Sequence, residues 1–201
     1  MRDLATLAGA LVCGLVLAAC SPSTTQPQPT NTSGDTGPPV AIAAPVAPPP
    51  TQPSSGRRTV AFDPCSRIDD AVPAALGFDP TTRKRVDFVF DDYAFIGCEF
   101  SRKEAIRGQQ LEVGSLTISS TNITLDEMRG RNYEGARQTT VNGKEALFST
   151  KRAAESCNIA FPGPDATIDV RVGSSGAFTT WVGCDHIDEA ASTVEAALPA
   201  R

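Results

Sequence analysis

Three patterns of apolar and polar positions follow one another along the chain. Residues 4 to 19, LATLAGALVCGLVLAA, form an almost unbroken apolar run. From residue 21 to residue 56 no hydrophobic period survives, and prolines interrupt every short apolar stretch. From residue 60 to residue 201 apolar positions return, with period two through the middle and helical spacing at both ends. The chain therefore divides into 1–19, 20–59 and a globular domain at 60–201.

Within that domain, Ser66 or Asp70 can cap a short helix that runs to Leu76 and ends at Gly77. Pro73 fits only the first helical turn, which favours Asp70 as the cap. In YAFIGCEF, Ala94, Ile96, Cys98 and Phe100 share one face of a strand. QLEVGSLTISS alternates with a slip at Gly114, the mark of a β-bulge. ITLDEMRG carries Thr124 and Glu127 at capping-box spacing and predicts a short middle helix. RQTTVNGKEALFST sets Asn142-Gly143 between two alternating runs, a hairpin signal. CNIAF and ATIDVRV flank a second turn, Pro162-Gly163-Pro164-Asp165. In DHIDEAASTVEAAL, the residues Ile187, Ala190, Ala191, Val194 and Leu198 make one helical stripe, stopped by Pro199. The order helix, strands, short helix, four strands, helix predicts an α+β domain. Its antiparallel β-sheet carries N- and C-terminal helices packed on it.

The apolar run at the start is too short for a membrane-spanning helix, which needs about 20 residues, and suits a secretory signal. It ends Leu17-Ala18-Ala19-Cys20, which resembles the lipobox of bacterial lipoproteins. That resemblance implies cleavage before Cys20 and a diacylglyceryl group on its thiol. Two acyl chains hold a protein on a membrane where one is marginal. Cys13 has no lipobox before it and reads as a filler of the discarded signal. Residues 21 to 56 hold ten of the sixteen prolines and a single charged residue, Asp35. Such a segment buries too little apolar surface to offset its ordering entropy. It reads as a disordered tether, reaching at most roughly 110 Å when extended.

Export puts the four remaining cysteines, Cys65, Cys98, Cys157 and Cys184, in an oxidising compartment, where an even count implies disulfides. No pair has the C-x-x-C spacing of a zinc or redox site. Cys65 enters the first helix and Cys98 lies on a strand; Cys157 begins a strand and Cys184 enters the last helix. Pairing Cys65 with Cys98 and Cys157 with Cys184 pins each terminal helix to one strand, so the sheet is expected to be stapled by these two disulfides.

Phe62-Asp63-Pro64-Cys65-Ser66, Ala74-Ala75-Leu76-Gly77 and Gly97-Cys98-Glu99-Phe100 precede a cysteine-led strand and a C-terminal amphipathic helix. This pattern, over residues 61 to 199, resembles the actinobacterial lipoprotein family known as domain of unknown function 3558. Phe100 stands where that family more often has tryptophan. The resemblance implies an actinobacterial cell-envelope location and brings no activity and no catalytic residues.

Candidate chemistry is sparse. The formal charge of -5 and pI near 4.9 speak against a nucleic-acid partner. The only histidine, His186, opens the last helix among Asp185, Asp188 and Glu189, which read as N-terminal helix charges. A solvent-exposed side chain is expected there, not a triad member or a metal ligand. Asp91-Asp92 falls short of the six or more oxygens that calcium takes and reads as a turn. Arg83-Lys84-Arg85 reads as a solvated loop or a gatekeeper beside VDFVF, with contact to anionic headgroups as the functional alternative. Trp181, the only tryptophan, is placed in the core or at its rim beside Cys184. No Gly-rich phosphate loop and no G-x-S-x-G elbow occur. No catalytic residue, metal or cofactor is expected. The expected function is a lipid-anchored envelope adaptor on the extracytoplasmic face of the membrane, with an envelope protein as partner. The second reading is a carrier or sensor of a lipid or small apolar ligand, which requires a cavity between sheet and helices.

Overall fold

Alternation in the domain resolves into one antiparallel sheet. In a computed structural model, the described residues are 40–53, 56–175 and 179–200. The expected signal at 1–19, Cys20 with its lipidation, and the first part of the tether lie outside them. Among the described residues the strands are β1 Asp79–Arg85, β2 Phe88–Val89, β3 Ala94–Ile106, β4 Gln109–Thr121, β5 Arg137–Val141, β6 Lys144–Lys151, β7 Ser156–Pro162 and β8 Thr167–Ser174. The helices are α1 Pro64–Arg67, α2 Ala71–Ala75, α3 Leu125–Arg129 and α4 Ile187–Ala196. The sheet has eight strands in the order β1-β3-β4-β8-β7-β6-β5, and β2 also pairs with β3. Two meanders, β1–β4 and β5–β8, thus join along β4 and β8. The domain is mostly sheet with modest helices, consistent with the α+β class.

Local chemistry explains the connections. Asn142 and Gly143 both take positive φ (47° and 81°), as a two-residue hairpin requires. Arg107 and Gly108 turn β3 into β4 the same way, with φ of 51° and 79°. The expected bulge is present: Arg102 pairs with Gly114 but Lys103 pairs with Glu112, which leaves Val113 as the extra residue. Thr124 and Glu127 form both halves of the capping box on α3.

One face of the sheet carries the main core. Phe100, Leu116, Ile118, Ile159, Phe161, Val170 and Val172 pack there against Ile68 and Val72. The stripe Ile187, Ala190, Ala191 and Val194 of α4 closes the same cluster. Disulfides join Cys65 to Cys98 and Cys157 to Cys184. With separations of 33 and 27 residues, each contributes roughly 3.5 kcal/mol in the chain-entropy picture.

Three expectations change. The first helix is two short ones. Asp63 caps the unforeseen α1 by accepting from Cys65 N, while Asp70 precedes α2 without bonding its amides. Asp69 accepts from Ala71 N instead. Arg83-Lys84-Arg85 is not a solvated loop but the end of β1, where the Arg83 side chain is fully buried and Arg85 nearly so. Carboxylates at Asp70, Asp63 and Asp87 draw these two arginines inward. Finally, the segment expected to be tether up to residue 59 lies on the domain over residues 40–53. Ala41 N donates to Asp69 Oδ2 (2.8 Å), Asp70 N donates to Ala41 O (3.0 Å), and Arg85 Nη1 donates to Ala47 O (3.0 Å). Val46 packs against the main core, and Gln52 exchanges two hydrogen bonds with the backbone of Val60. A proline-rich segment lacks ladder partners for its carbonyls, and neighbouring donors on the domain take some of them up.

Candidate binding groove on the open face of the sheet

Strand pairing puts cross-strand partners on the same face, so the second face can be read off the register. One row runs Ser149, Asn158, Arg171, Thr117, Glu99, Lys84 across six strands. The next runs Leu147, Ala160, Asp169, Ser119, Gly97. The helix α3 covers part of this face, where Leu125 and Met128 pack on Leu147 and Ala160. Beside α3 the face is hollow. Two adjoining depressions of about 420 and 290 Å³ share Phe95, Tyr133, Asp169 and Arg171. Their size matches clefts that take small molecules, about 300–1,000 Å³.

The walls are aromatic. β2 and β3 form a short hairpin in which Phe88 pairs with Phe95 and Phe90 N donates to Tyr93 O (2.9 Å). Phe90 and Tyr93 lie with ring centroids 4.6 Å apart, and Tyr93 meets Phe95 edge-on at 6.1 Å. Arg131 sits 5.0 Å from the Tyr93 ring. Phe88, Phe90 and Tyr133 are 54%, 47% and 37% exposed. Asp91-Asp92, expected as a turn, forms the bend at this hairpin's tip.

The floor is polar. Asn158 Nδ2 donates to both Asp169 oxygens (3.2 and 3.1 Å). Arg171 Nη2 donates to Thr117 Oγ1 (3.1 Å), and Thr117 Oγ1 donates to Glu99 Oε2 (3.2 Å). Lys84 Nζ closes the row on Glu99 Oε1 at 2.8 Å, and that carboxylate raises the lysine's pKa. Burial pushes the Asp169 carboxyl above the usual carboxylate range, against the opposing pull of Asn158 and Arg171.

Residues singled out in the sequence fall elsewhere. The four cysteines serve the helix-side core. His186 precedes α4, is half exposed, and stacks on Trp181 at 5.3 Å with its ring nearly parallel. Trp181 lies at the core rim, as expected, with Arg102 above its ring at 5.1 Å and Phe78 edge-on at 6.0 Å. Among the described residues no three or more His, Cys, Asp or Glu side chains come together as metal ligands. No helix among them is long and apolar enough to cross a membrane. Sequence reasoning missed the groove, although two signals for it were present. Asp169 and Arg171 occupy the alternate positions of the core strand ATIDVRV, and aromatics crowd the stretch from Phe88 to Phe95.

A family model described as "Protein of unknown function (DUF3558)" matches residues 15–197. The chain belongs to this family. No curated protein and no solved structure matches it. Within this DUF3558 chain the matched range takes in all of α1 to α4 and the eight strands.

Proposed function

We propose that this chain is a lipid-anchored lipoprotein of the cell envelope that works by binding. In this reading residues 1–19 direct export, and a diacylglyceryl group on Cys20 holds the protein at the extracytoplasmic face of the membrane. A shortened tether, 20–39, then presents a non-enzymatic recognition domain. The anchor rests on the Leu17-Ala18-Ala19-Cys20 sequence and the apolar run before it. The recognition role rests on one observation: a groove with exposed aromatic walls and a hydrogen-bonding floor on the face of the sheet that α4 leaves bare. Aromatic side chains left in water beside a concave polar surface are the usual anchors of recognition.

Carriage of a small apolar ligand has less support. It calls for space between sheet and helices, which is filled by Phe100, Phe161, Ile159 and the α4 stripe. The groove lies on the opposite face, and its Asp169 and Arg171 would lose hydration under an apolar chain.

Two measurements test the reading. Cys20→Ala is expected to move the protein from the membrane fraction to the medium; an unchanged membrane fraction rejects the anchor. The full chain, purified in mild detergent with its disulfides oxidised, is expected to sediment with isolated cell-wall material. The triple change Phe88→Ser, Phe90→Ser, Tyr133→Ser should leave it in the supernatant. Equal sedimentation of the two proteins rejects the groove as the recognition surface.

A further inference from the structure

Resting on that reading of the groove, we infer that its ligand is an uncharged, polyhydroxylated ring compound: a saccharide unit of an envelope polymer. Charge decides the class first. Arg131, Lys151 and Arg171 line the two depressions, which disfavours a cation. Asp169 and Glu134 line them too, which disfavours a dense anion. A neutral ligand avoids both penalties.

Hydrogen-bonding capacity then selects among neutral ligands. Asp169 accepts only the Asn158 amide among the described residues, so its carboxylate keeps spare lone pairs. Arg171 spends Nη2 on Thr117, while its Nε and Nη1 donate to no described residue. These two residues sit two apart on one face of β8, an acceptor beside a donor. A hydroxyl group is both donor and acceptor, so neighbouring hydroxyls satisfy the pair together. A hydrocarbon chain satisfies neither and would strand both groups.

The walls supply the remaining contact. The side chains of Phe88, Phe90 and Tyr133 are partly open to water, and aromatic faces carry the negative side of the ring quadrupole. The C–H faces of a sugar ring are apolar and weakly positive, so they match these aromatic faces while the hydroxyls meet the floor.

The test uses the full chain in mild detergent and wall material treated in two ways. Protease removes the wall's proteins; periodate cleaves its vicinal diols. Sedimentation is expected to survive protease and to be lost after periodate. Neutral oligosaccharides from an acid hydrolysate of the wall should compete, and hexose phosphates at equal concentration should not. Phe90→Ala, at a side chain the core does not use, should weaken binding about tenfold. Loss of binding after protease with retention after periodate would overturn the saccharide and make a protein segment the occupant. The groove reading would then still stand if the triple variant fails to bind. Competition by the phosphates alone would likewise overturn the uncharged ligand. No binding to any of these wall preparations would overturn the saccharide as well.

Discussion

The Arg83 guanidinium meets the Asp70 carboxylate at 2.5 Å in the interior of the domain. Its other bonds go to the carbonyls of Cys65 and Ile68, both at 2.9 Å. Those are end-of-helix carbonyls of α1, which have no partner within so short a helix. The guanidinium also lies 4.8 Å from the Phe100 ring. One side chain therefore ties α1, α2 and β1 to the core. Arg83→Ala leaves the carbonyls of Cys65 and Ile68 buried without a donor and the Asp70 carboxylate without its counter-charge, and should cost about 3–5 kcal/mol in urea unfolding. Arg83→Lys keeps the charge but not the fork and should recover only part of that. A cost within experimental error for Arg83→Ala would mean that water enters and replaces the arginine.

Gly114 and Trp181 share a site that admits no further atom. A Cβ on Gly114 would collide with the Trp181 ring and stand 3.0 Å from the carbonyl oxygen of Gly173. Gly114→Ala must push the ring away from its contacts with Arg102 and His186, at about 1–3 kcal/mol. Because Trp181 is the only tryptophan, its emission reports the event directly. A red shift in the folded variant is expected; an unchanged spectrum with unchanged stability would show that the strand moves instead.

Local signals carried much of this fold. The capping box at Thr124, the Asn142-Gly143 hairpin, the slip at Gly114 and the α4 stripe each involve neighbours in sequence, and each is present. What the sequence concealed depends on distant partners. Arg83 reads as a surface charge until Asp70 and the α1 carbonyls, 13 to 18 residues away, are set around it. Residues 40–53 read as tether because nothing in their own composition reveals the acceptors and donors waiting just before α2 and on β1. The groove is non-local in the same sense. Its floor is assembled across strands by register, so Asn158, Asp169, Arg171 and Thr117 show their relationship only once paired.

Glu127 makes stability depend on acid. The Arg57 guanidinium, then the Thr124 amide and hydroxyl, hold its carboxyl down to about 2. A depressed folded value contributes stability that is complete above the unfolded value of 4.5 and is lost as pH falls toward 2. The side chain is 39% exposed, so solvent screening keeps the contribution below about 1 kcal/mol. The stability difference between the unaltered chain and Glu127→Gln should be constant from neutral pH to about 5, then shrink steadily below that. Added salt should reduce its Arg57 part. A difference that does not vary with pH would assign the effect to helix packing alone.

Asp169 should show the opposite sign, and with it the cost of keeping a binding group in the floor. Burial raises its carboxyl above the usual 3.8. The folded state then holds the proton more tightly than the unfolded chain does. The stability linked to that proton is complete below 3.8 and declines as pH rises through the higher folded value. Once ionised, the carboxylate is a net burden, offset in part by Asn158 and Arg171. Asp169→Asn removes the charge with little change of shape. It should leave the protein at least as stable at neutral pH, with the gain vanishing in acid. The same change turns one of the two acceptor oxygens beside Arg171 into an amide donor and should weaken wall binding about tenfold. A purely structural Asp169 would give the reverse pair of results, lower stability with binding intact. Thermal melts at two pH values and one sedimentation assay separate a group kept for recognition from one kept for the fold.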